Sequence, residues 1–573
     1  MFKRILPAIK GYWLPTIMTP ILMVGEVIME CLIPLTMGEI IDKGIYGNDI
    51  NFVVMNGLKM VLYALLSLAF GSIAARLGAV AGTGFAKNLR KMLFDKIQTF
   101  SFSNIDKFST GSLITRLTND VTNVQMAFVQ CVKMLFRAPV TFIVALIMAV
   151  RLSASLSVSF IVFIPIIAIS LLVIMKLAFP KFGNMLKTMD NLNTTIQENL
   201  TAIRTVKAFV RGDFEKKKFS ESAANVRAAQ IAAERIVIWN GPVMQFCMYA
   251  CIILVSWLGA KLVIGGEMGT GQLMSFFTYI SQILMSLMMV SMLILMLTLS
   301  VASLRRINEV LDTQPDITDG SEAGVVENGD ISFKDVKFSY TKDLSNPTLS
   351  NINLEIKSGQ TVGIIGGTGS AKSTLVQLIP RLYDATSGEI WVGGKNVKDY
   401  NLETLRDAVS MVLQNNVLFS GTIIDNLRWG NADASEDEII EACKAAQAHD
   451  FIMSFPDGYQ TDLGQGGVNV SGGQKQRLCI ARALLKKPKV LILDDSTSAC
   501  DTATDSKIRA GLKNAHQDCT KIIIAQRITS IMDSDLIIVL DDGEIKATGT
   551  HAELMESSEI YREVYTSQQK GVE

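Results

Sequence analysis

The sequence predicts two unlike parts in one chain: a helical membrane domain of six spans, then an α/β domain built around a phosphate-binding loop. Three observations predict this. Apolar residues make up 49% of 573 and mean hydropathy is +0.32, yet the long apolar runs stop near residue 300. Beyond residue 330, short β runs such as Thr361–Ile365 and Val490–Leu493 alternate with helical stretches, as in a layered α/β fold. A small-residue loop ending in Lys372-Ser373 joins the first of those β runs to a helix.

Six apolar runs reach the ~20 residues needed to cross a hydrocarbon core of roughly 30 Å. They lie at about 13–35, 53–80, 126–150, 155–179, 240–264 and 272–299. Basic residues are held on the cytoplasmic side of a membrane. The start carries Lys3, Arg4 and Lys10, segment 87–119 carries six basic residues and 181–237 carries ten, whereas the alternate loops carry only Lys43, Arg151 and Lys261. Both ends are therefore expected in the cytoplasm, with the chain in the cell membrane. The first run has no small-residue cleavage pattern after it and reads as a retained helix. Only about a dozen residues precede it, so no soluble domain is expected ahead of it.

The two cytoplasmic segments are polar and helix-favouring at Asn88–Thr99 and Leu200–Phe219, so the membrane helices are expected to continue past the bilayer. Arg305 and Arg306 close the membrane part. The expected limits are 1–305 for the membrane domain, 306–329 for a linker whose polar, Gly- and Pro-containing part starts at Asp312, and 330–573 for the soluble domain. Eight cysteines occur without any CxxC pair, which indicates neither a metal site nor a disulfide framework. A net charge of zero argues against a nucleic-acid partner.

The loop reads Gly366-Gly367-Thr368-Gly369-Ser370-Ala371-Lys372-Ser373-Thr374. Small residues let successive backbone N–H groups surround phosphates at a helix N-terminus; Lys372 supplies positive charge and Ser373 a hydroxyl for Mg2+. Ala371 stands where the pattern has glycine before the lysine, and alanine is expected to tolerate the backbone geometry. Val490-Leu491-Ile492-Leu493-Asp494 is a buried apolar strand ending in a carboxylate, the form of a second Mg2+ ligand.

Together with Gln414 and the loop Ser471-Gly472-Gly473-Gln474, these motifs resemble the ATP-binding cassette (ABC) family over all of 330–573. The resemblance implies that Tyr340 stacks on adenine and that Gln414 senses Mg2+ and relays to the membrane part. It also implies that Ser471, Gly472, Gly473 and Gln474 bind the γ-phosphate held by an opposite subunit, with Asp501 between the two sites. Six spans ahead of one cassette look like a half-transporter of the type IV exporter kind. Phe108-Ser109-Thr110-Gly111 and Ala202–Val210 resemble the segments around its two coupling helices. Each ATP site in that family joins two cassettes, so the chain is expected to dimerise.

Three positions depart from the family pattern. Asp495 replaces the glutamate that acts as base or positions water, and is about one methylene shorter; a displaced carboxylate loses much of its catalytic advantage. Gln526 replaces the switch histidine, and the chain's three histidines, His449, His516 and His551, lie elsewhere. Gln465 stands where exporters carry a glutamate. A glutamine bonds a phosphate but does not become an imidazolium. ATP binding with slow turnover is expected here, and a non-identical partner carrying Glu and His would supply the competent site. The pattern looks like the heterodimeric bacterial multidrug exporters, with a slow homodimer as the other reading.

The cargo reading is coarser. Of 27 methionines, 23 precede residue 310, among them Met285, Met288, Met289, Met292 and Met296 on the sixth span, and such side chains adapt to varied hydrophobic compounds. They serve equally as lipid-facing or packing residues. Glu26 and Glu30 lie one turn apart on the first span, and Lys133 and Arg137 on the third. Charges within a bilayer are costly unless paired or hydrated. The readings are mutual pairing as a clamp, a site for cationic compounds, or placement near the outer surface. A lipid flippase, a peptide exporter and a nucleotide-gated channel or sensor remain alternatives to multidrug export.

Overall fold

In a computed structural model of the chain, residues 2–320, 324–515 and 518–570 are described. They divide into two compact units: one of Met1–Gln98 with Thr110–Thr313, the other of Thr99–Ser109 with Gln314–Glu573.

The first unit is helical. Among the described residues six helical stretches are long and apolar enough to cross a membrane: Trp13–Ile45, Ile50–Gln98, Thr110–Leu152, Ala154–Thr201, Gly212–Ile264 and Thr270–Asp312. The helix Ile50–Gln98 has 49 residues. At 1.5 Å per residue that is about 74 Å, far more than a hydrocarbon core of ~30 Å, so the helix runs well past the bilayer. The sixth helix likewise continues through Arg305 and Arg306 to Asp312, inside the stretch 306–329 read as linker; residues 321–323 of that stretch lie outside those described.

Close packing and satisfied polar groups hold the first and sixth spans together. A Cβ on Gly271 would run into the Gly38 carbonyl, and one on Gly38 into Ser275 Oγ, so both positions need glycine. Asp42 accepts hydrogen bonds from Gly271 N at 2.6 Å and Gln272 N at 2.9 Å, capping free N–H groups at the sixth helix's start. Tyr279 donates to Cys31 O at 2.7 Å, which satisfies a hydroxyl inside the apolar core. At the other end, Arg306 pairs with buried Asp120, and Arg116 Nη2 with Glu309 Oε2 at 2.9 Å.

The second unit is α/β. Its six-stranded sheet runs in the order Glu544–Gly549, Leu536–Asp541, Thr361–Ile365, Thr520–Ile524, Val490–Asp494, Val409–Val412. All are parallel except the edge strand Glu544–Gly549, which pairs antiparallel with its neighbour. Val490–Asp494 and Thr520–Ile524 are buried throughout, which explains the apolar runs 490–493 and 522–524 within them. A four-stranded antiparallel sheet carries Ile331–Phe338, after which Tyr340 follows. The helix Phe102–Lys107 also belongs here, capped by Ser101 and Asn104 in a reciprocal box.

Candidate nucleotide-binding site

The site forms at the carboxyl ends of the parallel strands, where α/β sheets bind ligands. The pairing Ile524 with Asp494, and Ile364 with Ile524, brings three strand ends level. From them emerge the loop after Ile365, the carboxylates Asp494 and Asp495, and Gln526; Gln414 follows the neighbouring strand Val409–Val412.

The loop's conformation follows from its small residues. A Cβ on Gly366 would meet Leu540 O, and Gly369 has φ +88°. Thr368 and Ser370 lie in the turn, where Ser370 Oγ donates to Gly367 O at 2.8 Å. Ala371 has φ 69° and ψ 24°, the left-handed region. Alanine adopts this geometry here, at a Cβ cost of about 1–2 kcal/mol that glycine escapes. Lys372 Nζ donates to Gly366 O at 2.8 Å, Gly367 O at 2.7 Å and Ser370 Oγ at 3.3 Å, so the ammonium is folded onto the loop's own carbonyls. Burial lowers its pKa, against the opposing pull of Asp494 and Asp495.

Ser373 Oγ donates to Asp494 Oδ1 at 2.9 Å, and Asp494 is only 2% exposed. Burial pushes the Asp494 carboxyl up; the Ser373 bond opposes this, and neighbouring Asp495 adds to it. A hydroxyl and a carboxylate, with the Gln414 amide just after the strand Val409–Val412, make a hard oxygen set that fits Mg2+. A buried carboxylate pair also calls for a cation.

Asp495 has φ 50°, its N–H bonded to Ile524 O at 3.1 Å. Its Oδ2 accepts from Gln526 Nε2 at 2.8 Å, so the two departures from the family pattern face each other. Burial raises its pKa, opposed chiefly by the Gln526 bond. Gln568, on the final helix Glu559–Lys570, clasps the same loop: it donates to Gln526 O at 2.7 Å and accepts from Ile528 N at 2.9 Å. No sequence motif points to Gln568, because its partners lie about 40 residues away.

Tyr340 is half exposed, bonds Thr374 Oγ1 at 3.0 Å, and meets Phe338 at 4.8 Å and Tyr383 at 5.3 Å in edge contacts. Ser471, Gly472, Gly473 and Gln474 form a separate feature. Ser471 caps the helix Gly472–Leu485, with Gln474 N to Ser471 Oγ at 3.3 Å and Ser471 N to Gln474 Oε1 at 2.8 Å. Among the described residues this capped end makes no hydrogen bond to the loop 366–374, and Ser471 and Gly472 are exposed.

In the membrane unit, Arg137 pairs with Glu26 at 2.8 Å and Glu30 at 3.2 Å. The clamp therefore has one cation, not two: Lys133 makes no ion pair among the described residues, and its stem lies against Gly78. Glu26 Oε2 is buried without a hydrogen-bond partner. Met285 and Met292 are exposed on the sixth helix, and Met289 is half-buried.

The fold and this site define an ATP-dependent membrane transporter. Residues 16–288 match the ABC transporter transmembrane region and residues 349–498 the ABC transporter domain. YfiB of Bacillus subtilis, an uncharacterized ABC transporter ATP-binding protein, is 39% identical over 99% of this chain and 98% of its own length. YgaD of the same organism, a putative multidrug export ATP-binding/permease protein, is 31% identical over 99% of both. The structure of a bacterial Atm1-family ABC exporter with ATP bound aligns with a TM-score of 0.83 at 25% identity, covering 96% of this chain and 98% of that one. The chain belongs to the ABC transporters and has the exporter architecture, a helical membrane domain followed by a cassette that couples ATP hydrolysis to transport.

Proposed function

We propose that the chain is one half of a heterodimeric exporter of amphipathic, multidrug-type compounds in the cell membrane, with both termini cytoplasmic and domain limits near 305 and 330. In this reading its own ATP site mainly binds nucleotide, while Ser471–Gln474 complete the site at which a non-identical partner hydrolyses ATP.

The observation that carries the reading is the Gln526–Asp495 bond at 2.8 Å. A general base must lie within hydrogen-bond reach of the proton it takes and be free to receive it. Here the shorter carboxylate is held by an amide that neither accepts a proton nor becomes cationic at neutral pH. The signature cap, by contrast, is formed and exposed. One defective element beside one intact element suits a chain that serves its partner's site. The multidrug part draws support from the printed name of YgaD and from the exposed Met285 and Met292.

In this site Tyr340 offers a face for adenine, the N–H groups of 366–374 surround phosphate oxygens, and Lys372 exchanges its loop carbonyls for phosphate. Ser373, Asp494 and Gln414 would hold Mg2+, which when bound offsets the charge of the phosphates. Glu26 and Glu30, with Met285, Met289 and Met292, are the residues assigned to cargo.

The test is ATPase activity of the purified chain alone and co-expressed with its closest encoded relative, each with and without Ser471→Ala. Negligible activity alone, and robust co-expressed activity abolished by Ser471→Ala, is the expected result. Robust turnover by the chain alone would sink the heterodimer reading.

A further inference from the structure

The exposed signature cap and the turn that carries Asp495 are joined by one buried side chain. Gln476 lies one turn into the helix Gly472–Leu485 and is 6% exposed. Its Oε1 accepts from Ala499 N at 3.0 Å, and its Nε2 donates to Ser498 Oγ at 3.3 Å and Asp495 O at 3.4 Å. Ser498 Oγ itself donates to Asp495 O at 3.0 Å. Gly473 closes the contact from the other side, since a Cβ there would lie 2.8 Å from Ala499 O.

The start and the end of the turn 495–499 are therefore both fastened to the signature helix, one turn in from its capped end. A primary amide suits this place, because it presents one acceptor and two donors to backbone groups of opposite polarity. Removing it takes the acceptor from Ala499 N and the donor from the Asp495 carbonyl, and a close-packed interior passes a shift of one element to the next rather than absorbing it. A shift of Asp495 would therefore reach the helix whose first residues follow Ser471.

We propose that Gln476 is a positioning residue that couples the two ATP sites of the dimer. It carries the state of the chain's own site, met at Asp495, to the loop that completes the partner's site. The proposal rests on the trans assignment of Ser471–Gln474 made above.

A double-mutant cycle on the dimer with the non-identical half tests it, using Lys372→Ala to weaken nucleotide binding at the chain's own site and Gln476→Leu to cut the link. Photolabelling with 8-azido-ATP reads occupancy of each half. Lys372→Ala alone is expected to lower turnover about fivefold or more, a normal size for coupling between sites. In the Gln476→Leu background the same change is expected to lower turnover about twofold at most, with both halves of the Gln476→Leu dimer still labelled. An equal loss in both backgrounds overturns the proposal, as does a Lys372→Ala without effect or a Gln476→Leu dimer that no longer labels. If Gln476→Leu does not fold, Gln476→Glu takes its place: it keeps the acceptor for Ala499 N and loses the donor to Asp495 O, and the same loss of dependence is expected. The underlying reading fails by a different route, through Ser471→Ala leaving partner-site turnover intact.

Discussion

Gln526 Nε2 donates to Asp495 Oδ2 at 2.8 Å, so the two residues that replace the usual base and switch are bonded to each other. Asp495 is held there from both directions, its left-handed backbone tied to Ile524 O and its carboxylate to the amide. Restoring one partner alone leaves the other mismatched, and contacting residues do not act additively. Asp495→Glu with Gln526→His is therefore predicted to raise ATP turnover of the chain measured alone by about 10²-fold, the lower range for a positioned general base. Each single change should recover far less. A double variant as slow as the parent would place the block elsewhere in the site.

Asp494 gives a pH-dependent prediction. Burial raises its pKa in the folded chain, so the folded state binds more protons than the unfolded state between the ordinary carboxylate range and the raised value. Stability is then gained as pH falls through that window and lost as pH rises through it. Asp494→Asn, which still accepts from Ser373, should raise the thermal midpoint of the nucleotide-free chain at pH 7, by about 1 kcal/mol or a few degrees at most. The gap from the parent should close toward pH 4. Stabilisation by Mg-ATP should disappear in the variant at every pH.

Ala371 carries backbone strain that a glycine would not. With φ 69°, Ala371→Gly removes a Cβ clash at the cost of a more flexible unfolded chain. The net expectation is a gain of about 0.5–1 kcal/mol, read as a small rise in thermal midpoint. A fall would show that the loop needs the side chain.

Arg137 stands between Glu26 and Glu30, and Glu26 keeps one buried oxygen without a partner. Arg137→Met leaves that carboxylate uncompensated and should cost about 3–5 kcal/mol, measured as lost folded protein in detergent. Adding Glu26→Gln should recover most of it. Recovery would identify the cluster as a charge pair first, whatever cargo it also meets.

The spans, the cassette and the loop 366–374 were legible because each is written locally, as a run of apolar residues or as fixed spacing between a strand and a helix. What sequence did not disclose depends on contacts between distant positions. Arg137 takes both glutamates because the first and third spans meet there, which residue spacing within either helix does not express. The left-handed turn at Ala371 is imposed by the loop around it. Gln568 reaches Gln526 across 42 residues, and Gln476 reads as an ordinary polar helix residue until burial places it under Asp495. The segment Thr99–Ser109 sits in sequence between two membrane helices yet packs with the cassette, because Ser103, Asn104 and Asp106 find partners at Asp316, Gln314 and Tyr383.

That last contact carries its own prediction. Tyr383 donates to Asp106 Oδ2 at 2.6 Å and meets Phe102 edge-on at 6.0 Å, while its other side packs on Tyr340. Burial, reinforced by Asp106, raises the Tyr383 pKa far above neutrality, so the phenol stays a donor across the physiological range. Tyr383→Phe keeps the ring contacts and deletes only the bond to the carboxylate, a loss of about 1.5–3 kcal/mol for a charged acceptor. Amide exchange of Phe102–Lys107 should then quicken by about 10-fold or more, with strand amides such as Ile522 unchanged. Exchange that quickens equally in both places would mean the variant loosens the whole cassette, and that the Asp106 bond does not specifically seat this helix.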